Sequence, residues 1–288
     1  MQADLKELWR FRELLWAMVE RELRIRYKNS FLGFFWSLIN PLMTVVVMTL
    51  VFKTFLQNST ENYAPYVLSA YLPFMFFNLA VMDSAQSVLV AMPVVKKVYF
   101  PREILPLASV LANFIHFLLA LVVFFGYLFV VWATTGFQVS PFTWRIGFLP
   151  VLLVVSLALT LGTSLIVSAL NVFYEDVKYV IGVLLYLAFF MTPIMYFSEN
   201  VWAAVSKKGP AYEWLYYLYH LNPVAELATT YKKTLVPPGR IDVGSGSVVD
   251  PIAQNWGLFG VTVLVSFGVL IFGYWLFNRM KWKFVERP

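Results

Sequence analysis

Ionisable side chains give this 288-residue chain little to do chemistry with. Four candidates stand in or beside apolar sequence: Asp83, His116, Glu175 and Asp176. A membrane-embedded glycosyl- or acyltransferase would need an acid and a base gathered at one place. These four are scattered over three stretches, so no catalytic residue is assigned. His116 reads as a packed or interhelical hydrogen-bonding group rather than a proton relay. An intramembrane carboxylate is a functional candidate by default. Asp83 lies toward the end of its stretch, however, and the favoured reading is a hydrated interfacial group. There is no cysteine, which removes disulfides, thiolate metal sites and a cysteine nucleophile. No His-Glu-x-x-His or carboxylate cluster points to a metal. No Gly-x-x-x-x-Gly-Lys-Ser/Thr loop is present, so the chain alone should not hydrolyse ATP or hold a cofactor. Nor is there the ladder of charges that a proton-driven pump needs. Energy must come from elsewhere, or transport is passive.

The elements that would position any such groups are apolar. Hydrophobic residues make up 60% and charged residues 13%, about half the charge of an ordinary soluble domain. Six long stretches stand out: Phe34–Phe52, Val67–Val90, Leu107–Val131, Gly147–Leu170, Val177–Phe197 and Trp256–Phe277. Each is close to or above the roughly 20 residues that carry a helix across a bilayer. Without water, each must satisfy its own backbone, which a helix does. The expected fold is an all-α membrane protein of six spans in one membrane domain.

Charge sets the orientation. Of 22 Lys and Arg, about 15 fall in the N-terminal segment, the 91–106 and 171–178 loops and the C-terminal tail. Short basic loops stay in the cytoplasm, so both ends are expected there, as an even number of spans requires. The net charge of +6 then reads as an orientation signal and headgroup contact, with no nucleic-acid partner. No cleavable signal peptide is visible, so the first span is expected to act as the targeting signal.

Asp4–Ser30 is expected to form an amphipathic helix in the membrane interface. Leu5, Leu8, Phe11, Leu15, Val19 and Leu23 line one side, and Trp9 and Trp16 favour the headgroup region. Asn40-Pro41 predicts a kink in the first span. The 91–106 loop carries Lys96, Lys97, Arg102 and Glu103 between prolines, and a short membrane-parallel helix is expected in it. Outside, Ser198–Asn255 is expected to hold short periplasmic helices at Val201–Val205 and Tyr212–His220, a turn at Asn222-Pro223, and an exposed loop over Pro237–Gly246. Asn58-Ser59-Thr60 matches a glycosylation pattern that is common by chance. The expected division is an interface helix over 1–32, a six-span membrane domain over 33–277 with its external elaboration at 198–255, and a basic tail over 278–288.

Four blocks carry a resemblance that covers nearly the whole chain: Arg26-Tyr-Lys-Asn-Ser-Phe-Leu-Gly-Phe-Phe-Trp36 running to Asn40-Pro41-Leu42; Phe100-Pro-Arg-Glu-Ile-Leu-Pro106; Asn171-Val-Phe-Tyr-Glu-Asp-Val177; and Phe189-Phe-Met-Thr-Pro-Ile-Met-Tyr196 with Asn222-Pro223 beyond. In order and placement they resemble the permease subunit of a type-2 ABC exporter (ABC-2), in the branch that moves lipid-linked polysaccharides such as O-antigen, capsule or teichoic acid. One departure is Glu175, where that family often has Arg.

The resemblance implies a type-2 ABC exporter permease fold. It also implies a homodimer in the bacterial cytoplasmic membrane, bound to two copies of an ABC ATPase that holds ATP and Mg. Arg24, Lys96, Lys97, Arg102 and Glu103 would meet that ATPase. The conduit would run between the first and fifth spans of both protomers. Phe34, Phe35 and Trp36 would sit at its inner mouth, and Tyr186, Phe189, Phe190 and Tyr196 along its outer half. Aromatic faces stack on the C–H side of sugar rings, so a polymer can slide without a deep well, as conduction requires. The alternative within the family is a drug, lipid or peptide cargo.

Overall fold

A computed structural model describes residues 2–27, 35–55, 57, 59–60, 62–134, 142–236, 239–243 and 248–284, with the backbone alone at 2–5, 27, 35–38, 40 and 41. Phe34, Asn58 and parts of the expected Pro237–Gly246 loop and basic tail lie outside the described residues.

The chain opens with α1 (Gln2–Arg10) and α2 (Arg12–Tyr27). They are nearly continuous, because Phe11 N–H reaches Glu7 O and Leu15 N–H reaches Phe11 O across the joint. The expected single helix is therefore present with one irregular residue. Val19 in α2 packs on Ala108 and Ala112, which lie on α5 (Ile104–Thr134).

The first apolar stretch forms α3 (Phe35–Leu50), which runs through Asn40-Pro41 and ends in a π-helical turn at Val51–Phe55. Next comes α4 (Tyr63–Val95), whose 33 residues include Pro73 and Pro93. At 1.5 Å per residue it is about 50 Å long. The separate short helix expected in the 91–106 loop is not there. Instead α4 continues past Pro93, Lys96 N–H bonds Met92 O, and an irregular link leads into α5.

The fourth stretch is α6 (Leu149–Phe173), preceded by a 3-10 turn at Trp144–Phe148. Its partner is α11 (Trp256–Met280). The two backbones nearly touch. A Cβ built on Gly273 would overlap the carbonyl oxygen of Gly162, and one on Gly162 would meet Leu270 N at 2.5 Å. Small residues allow such an approach, and dispersion across it holds helices together where no hydrophobic drive exists between them.

Among the described residues, four helices are long and apolar enough to cross a membrane: Tyr63–Val95, Ile104–Thr134, Trp144–Phe173 and Trp256–Phe284. Leu42–Phe55 and α7 (Val177–Met191) are apolar but shorter. The 15 residues of α7 cover about 22 Å, less than the roughly 30 Å hydrocarbon thickness. Bent backbone over 192–196 follows, with Pro193 inside it. The break matches the helix-stopping proline expected in the fifth span.

Beyond lie α8 (Ser198–Ser206), a 3-10 turn at Pro210–Tyr212, α9 (Trp214–His220) and α10 (Pro223–Leu235). Short helices α8 and α9 lie near the expected positions. Helix α10 is a correction, because Asn222-Pro223 starts a helix and does not merely turn the chain. Asn222 accepts from Val224 N–H and Pro223 takes the first helical position, a pairing that favours helix entry. The helix packs against α4, α11 and α6. The all-α expectation needs one small amendment, a two-residue antiparallel pair of β1 (Ile241–Asp242) and β2 (Val248–Val249).

Candidate functional sites

At the end of the molecule where α4 stops, the loop expected to meet an ATPase divides into two parts. Lys96, Lys97, Val98 and Tyr99 are exposed. Arg102 and Glu103 turn inward. Glu103 is 1% exposed, and its Oε1 accepts from Lys281 Nζ at 2.5 Å. Arg102 donates to the carbonyl of Lys281 and lies over the Phe284 ring. Phe284 is itself buried against Phe173 and Phe277. On the other flank Tyr99 Oη donates to Glu7 Oε1 at 2.9 Å, and this bond raises the Tyr99 pKa. Residues from both ends of the chain therefore bracket the loop. A buried ion pair of this kind fixes geometry more surely than it adds stability.

Asp83 has specific partners. Its Oδ2 accepts from Arg26 at 2.5 Å and from Asn113 Nδ2 at 2.8 Å, while Asn113 Oδ1 accepts from Arg26 at 2.9 Å. The carboxylate is partly exposed. It also fastens α2 to α4 and α5. Arg24, by contrast, points outward and pairs with Glu20 on its own helix. Among the described residues, no group of three potential metal ligands gathers anywhere.

The aromatics expected to line a conduit fall into different positions. Tyr186 and Phe190 are exposed and stack edge-on at 5.2 Å. Phe189 turns the other way, onto Tyr71 and Phe74 of α4. Tyr196 lies beyond the helix end, with hydrogen bonds to Phe190 O at 3.0 Å and Tyr219 Oη at 2.9 Å. Phe34 lies outside the described residues, and only the backbone of Phe35 and Trp36, in α3, is described. Only Leu185 of α7 is buried, and Val180, Val183, Leu184, Tyr186 and Leu187 are all exposed.

The break after α7 frees backbone carbonyls that an apolar setting cannot solvate. Side chains from two other helices supply the donors. Lys232 Nζ bonds Ile194 O at 2.9 Å and Tyr196 O at 2.7 Å, and Tyr63 Oη bonds the intervening Met195 O at 2.9 Å. Lys232 also sits 4.6 Å from the centre of the Phe197 ring. Burial pushes its pKa down to about 7, with Glu199 acting in the opposite direction and Lys233 adding to the fall. Next to it, Glu199 is 2% exposed and lies 3.6 Å from Lys233. Farther along α10, Glu226 bonds His220 Nδ1 at 2.7 Å and Gln254 Nε2 at 2.7 Å. Sequence reasoning missed this outer network. Asn222-Pro223 was the available signal for α10, but nothing local ties Lys232 to carbonyls 36 and 38 positions earlier.

A helical membrane scaffold with a clamped polar loop at one end and a broken aromatic helix at the other can be compared with known proteins. The sequence pattern of the ABC-2 type transporter family matches residues 13–230. The chain belongs to that family. This membership makes it a transport subunit rather than an enzyme, as the lack of clustered catalytic groups suggested. Among ABC-2 relatives, it is 26% identical over 274 residues to the O-antigen export system permease protein RfbA of Klebsiella pneumoniae, covering 95% of this chain and 94% of that protein. It is 29% identical over 229 residues to the protein of that name from Myxococcus xanthus, covering 79% of this chain and 82% of that protein.

Proposed function

We propose that this chain is the membrane-spanning permease of an ATP-driven exporter, and that its cargo is a lipid-linked polysaccharide of the O-antigen kind. The observation that carries this reading is the match to O-antigen export permeases along 95% of the chain. In this reading α3 and α7 complete a set of six spans, α7 doing so with the bent backbone beyond it. Both chain ends face the cytoplasm of a bacterium, residues 1–32 lie in the membrane interface, and residues 278–288 form a basic anchor.

Two permeases associate through α3 and α7, and each carries one ATPase that binds ATP and Mg. The exposed face of α7, which carries Val180, Val183, Leu184, Tyr186 and Leu187, supports that pairing. Exposed Lys96 and Lys97, with Arg24 nearby in function, are the contact with the ATPase. Arg102 and Glu103 act one step back, holding the loop against Lys281 so that a push is transmitted and not dissipated. Tyr186, Phe190 and Tyr196, with Phe34, Phe35 and Trp36 at the inner mouth, offer ring faces to sugars. Phe189 supports the others from behind.

Membrane vesicles holding the permease, its ATPase and a lipid-linked O-polysaccharide test the proposal. Export should require the ATPase and ATP, and Lys96→Glu with Lys97→Glu should lower it while insertion is unchanged. Export without the ATPase, or ATP hydrolysis by the purified permease alone, would overturn the reading.

A further inference from the structure

The outer network borders a cavity that the proposed transport path does not use. Its volume is about 180 Å³, and its walls include Tyr66, Arg145, Phe197, Glu199, Lys232 and Lys233. A single water needs roughly 10–15 Å³ of such space, so the cavity admits a group far larger than one water. It lies by the first turn of α4, some 50 Å along that helix from the clamped loop.

Its charges do not balance. Three cations and one carboxylate line it, and Glu226 acts on Lys233 from outside the lining. Glu199 Oε1 accepts from Ile252 N–H at 2.9 Å, and Oε2 accepts from Ser198 Oγ at 2.9 Å. Lys232 gives two of its three protons to carbonyls and keeps one. The Arg145 side chain has no hydrogen-bond or ion-pair partner among the described residues and lines the cavity. Buried cations without matching anions are costly, and burial lowers the pKa of both Lys232 and Lys233. Apolar walls with a few convergent polar groups are what a small-ligand site requires.

We propose that this cavity binds a small oxyanion group, a phosphate or carboxylate, through Arg145, Lys232 and Lys233. The group comes either from a water-soluble sugar or glycerol derivative or from a lipid headgroup. Guanidinium and ammonium donors suit such oxygens. Because Lys232 also holds the carbonyls of Ile194 and Tyr196, an occupant draws on the same ammonium that secures the broken end of α7. Occupancy and the conformation of that end are then linked.

Competitive acetylation of the full chain in phosphatidylcholine nanodiscs tests the site, read by peptide mass spectrometry at each lysine. Glycerol phosphate and glucuronate are the soluble probes, and discs containing phosphatidylglycerol form the third arm. Bound probe should slow modification of Lys232 and Lys233 about tenfold at ten times its dissociation constant. Exposed Lys207 and Lys208 should be unaffected. Arg145→Gln should weaken protection, and Lys233→Gln should do the same at Lys232. Line broadening of the glycerol phosphate phosphorus resonance gives a second reading that needs no labelling. Protection by soluble probes assigns a solute, and protection only in phosphatidylglycerol discs assigns a headgroup. Absence of both protection and broadening in every arm, equal protection of Lys207 and Lys208, or unchanged protection in both variants would overturn the site.

Discussion

Lys232 is a cation held where cations are disfavoured, and that has a consequence for stability. Its folded pKa is near 7 against an ordinary value of 10.5. Between those values the unfolded chain binds the proton and the folded chain does not, so stability must rise with pH across that window. The neighbouring charges on Glu199, Lys233 and Arg145 are in the same cavity, and Lys233 adds a slope of the same sign. Lys232→Met should therefore reduce the rise, measured as denaturation midpoint in detergent from neutral to alkaline pH, without abolishing it. Glu103 presents a different case. Lys281→Met leaves a buried carboxylate without its cation and should cost about 3–5 kcal/mol. Adding Glu103→Gln should recover much of that loss in chemical denaturation. At this scale the sequence was legible in kind but not in partnership. Arg102 and Glu103 were recognisable as charges in a proline-bounded loop. That they turn toward Lys281 depends on α11 returning beside α4 and α5, which no local pattern records. Asp83 was likewise visible, while its ties to Arg26 and Asn113 required three elements to be placed first.

Long apolar helices were the most legible elements, because bilayer thickness imposes a length that composition reveals directly. Breaks were partly legible. Pro193 marks the end of α7, and the helix stops at Met191. Pro73 and Pro93 carry the same residue type, yet α4 continues through both. Packing on both sides of α4 outweighs the lost backbone bonds there. The closest helix pairing, α6 on α11, depends on Gly162 and Gly273. No local pattern marks either glycine for this contact, because the distance of approach is a property of the pair. Gly273→Ala should destabilise the fold by about 1–3 kcal/mol, the usual penalty for overpacking. Gly268→Ala, with open space around its Cβ, should remain close to the parent in the same thermal unfolding assay.

The whole molecule leaves one face of α7 uncovered, while Leu185 and Phe189 hold its other face on neighbouring helices. Of the 15 residues of α7, Leu185 alone is buried, so a second copy has a surface to meet. The natural absence of cysteine makes this simple to check. Val183→Cys should give a disulfide-linked dimer in oxidised membranes. Leu264→Cys, on the exposed side of α11, should remain monomeric under the same conditions. The cavity bounded by Arg145 and Lys232 is lined from six separate segments of the chain, so it could not be read before the fold was known. Glu103 and Lys281, the buried pair beneath the loop, are separated by 178 positions. During synthesis the acidic member leaves the ribosome long before its basic counterpart. A nascent product stopped ahead of Lys281 therefore lacks the cation that seats Glu103 and the loop beside it. The loop can therefore take its final shape only after the last long helix has been made.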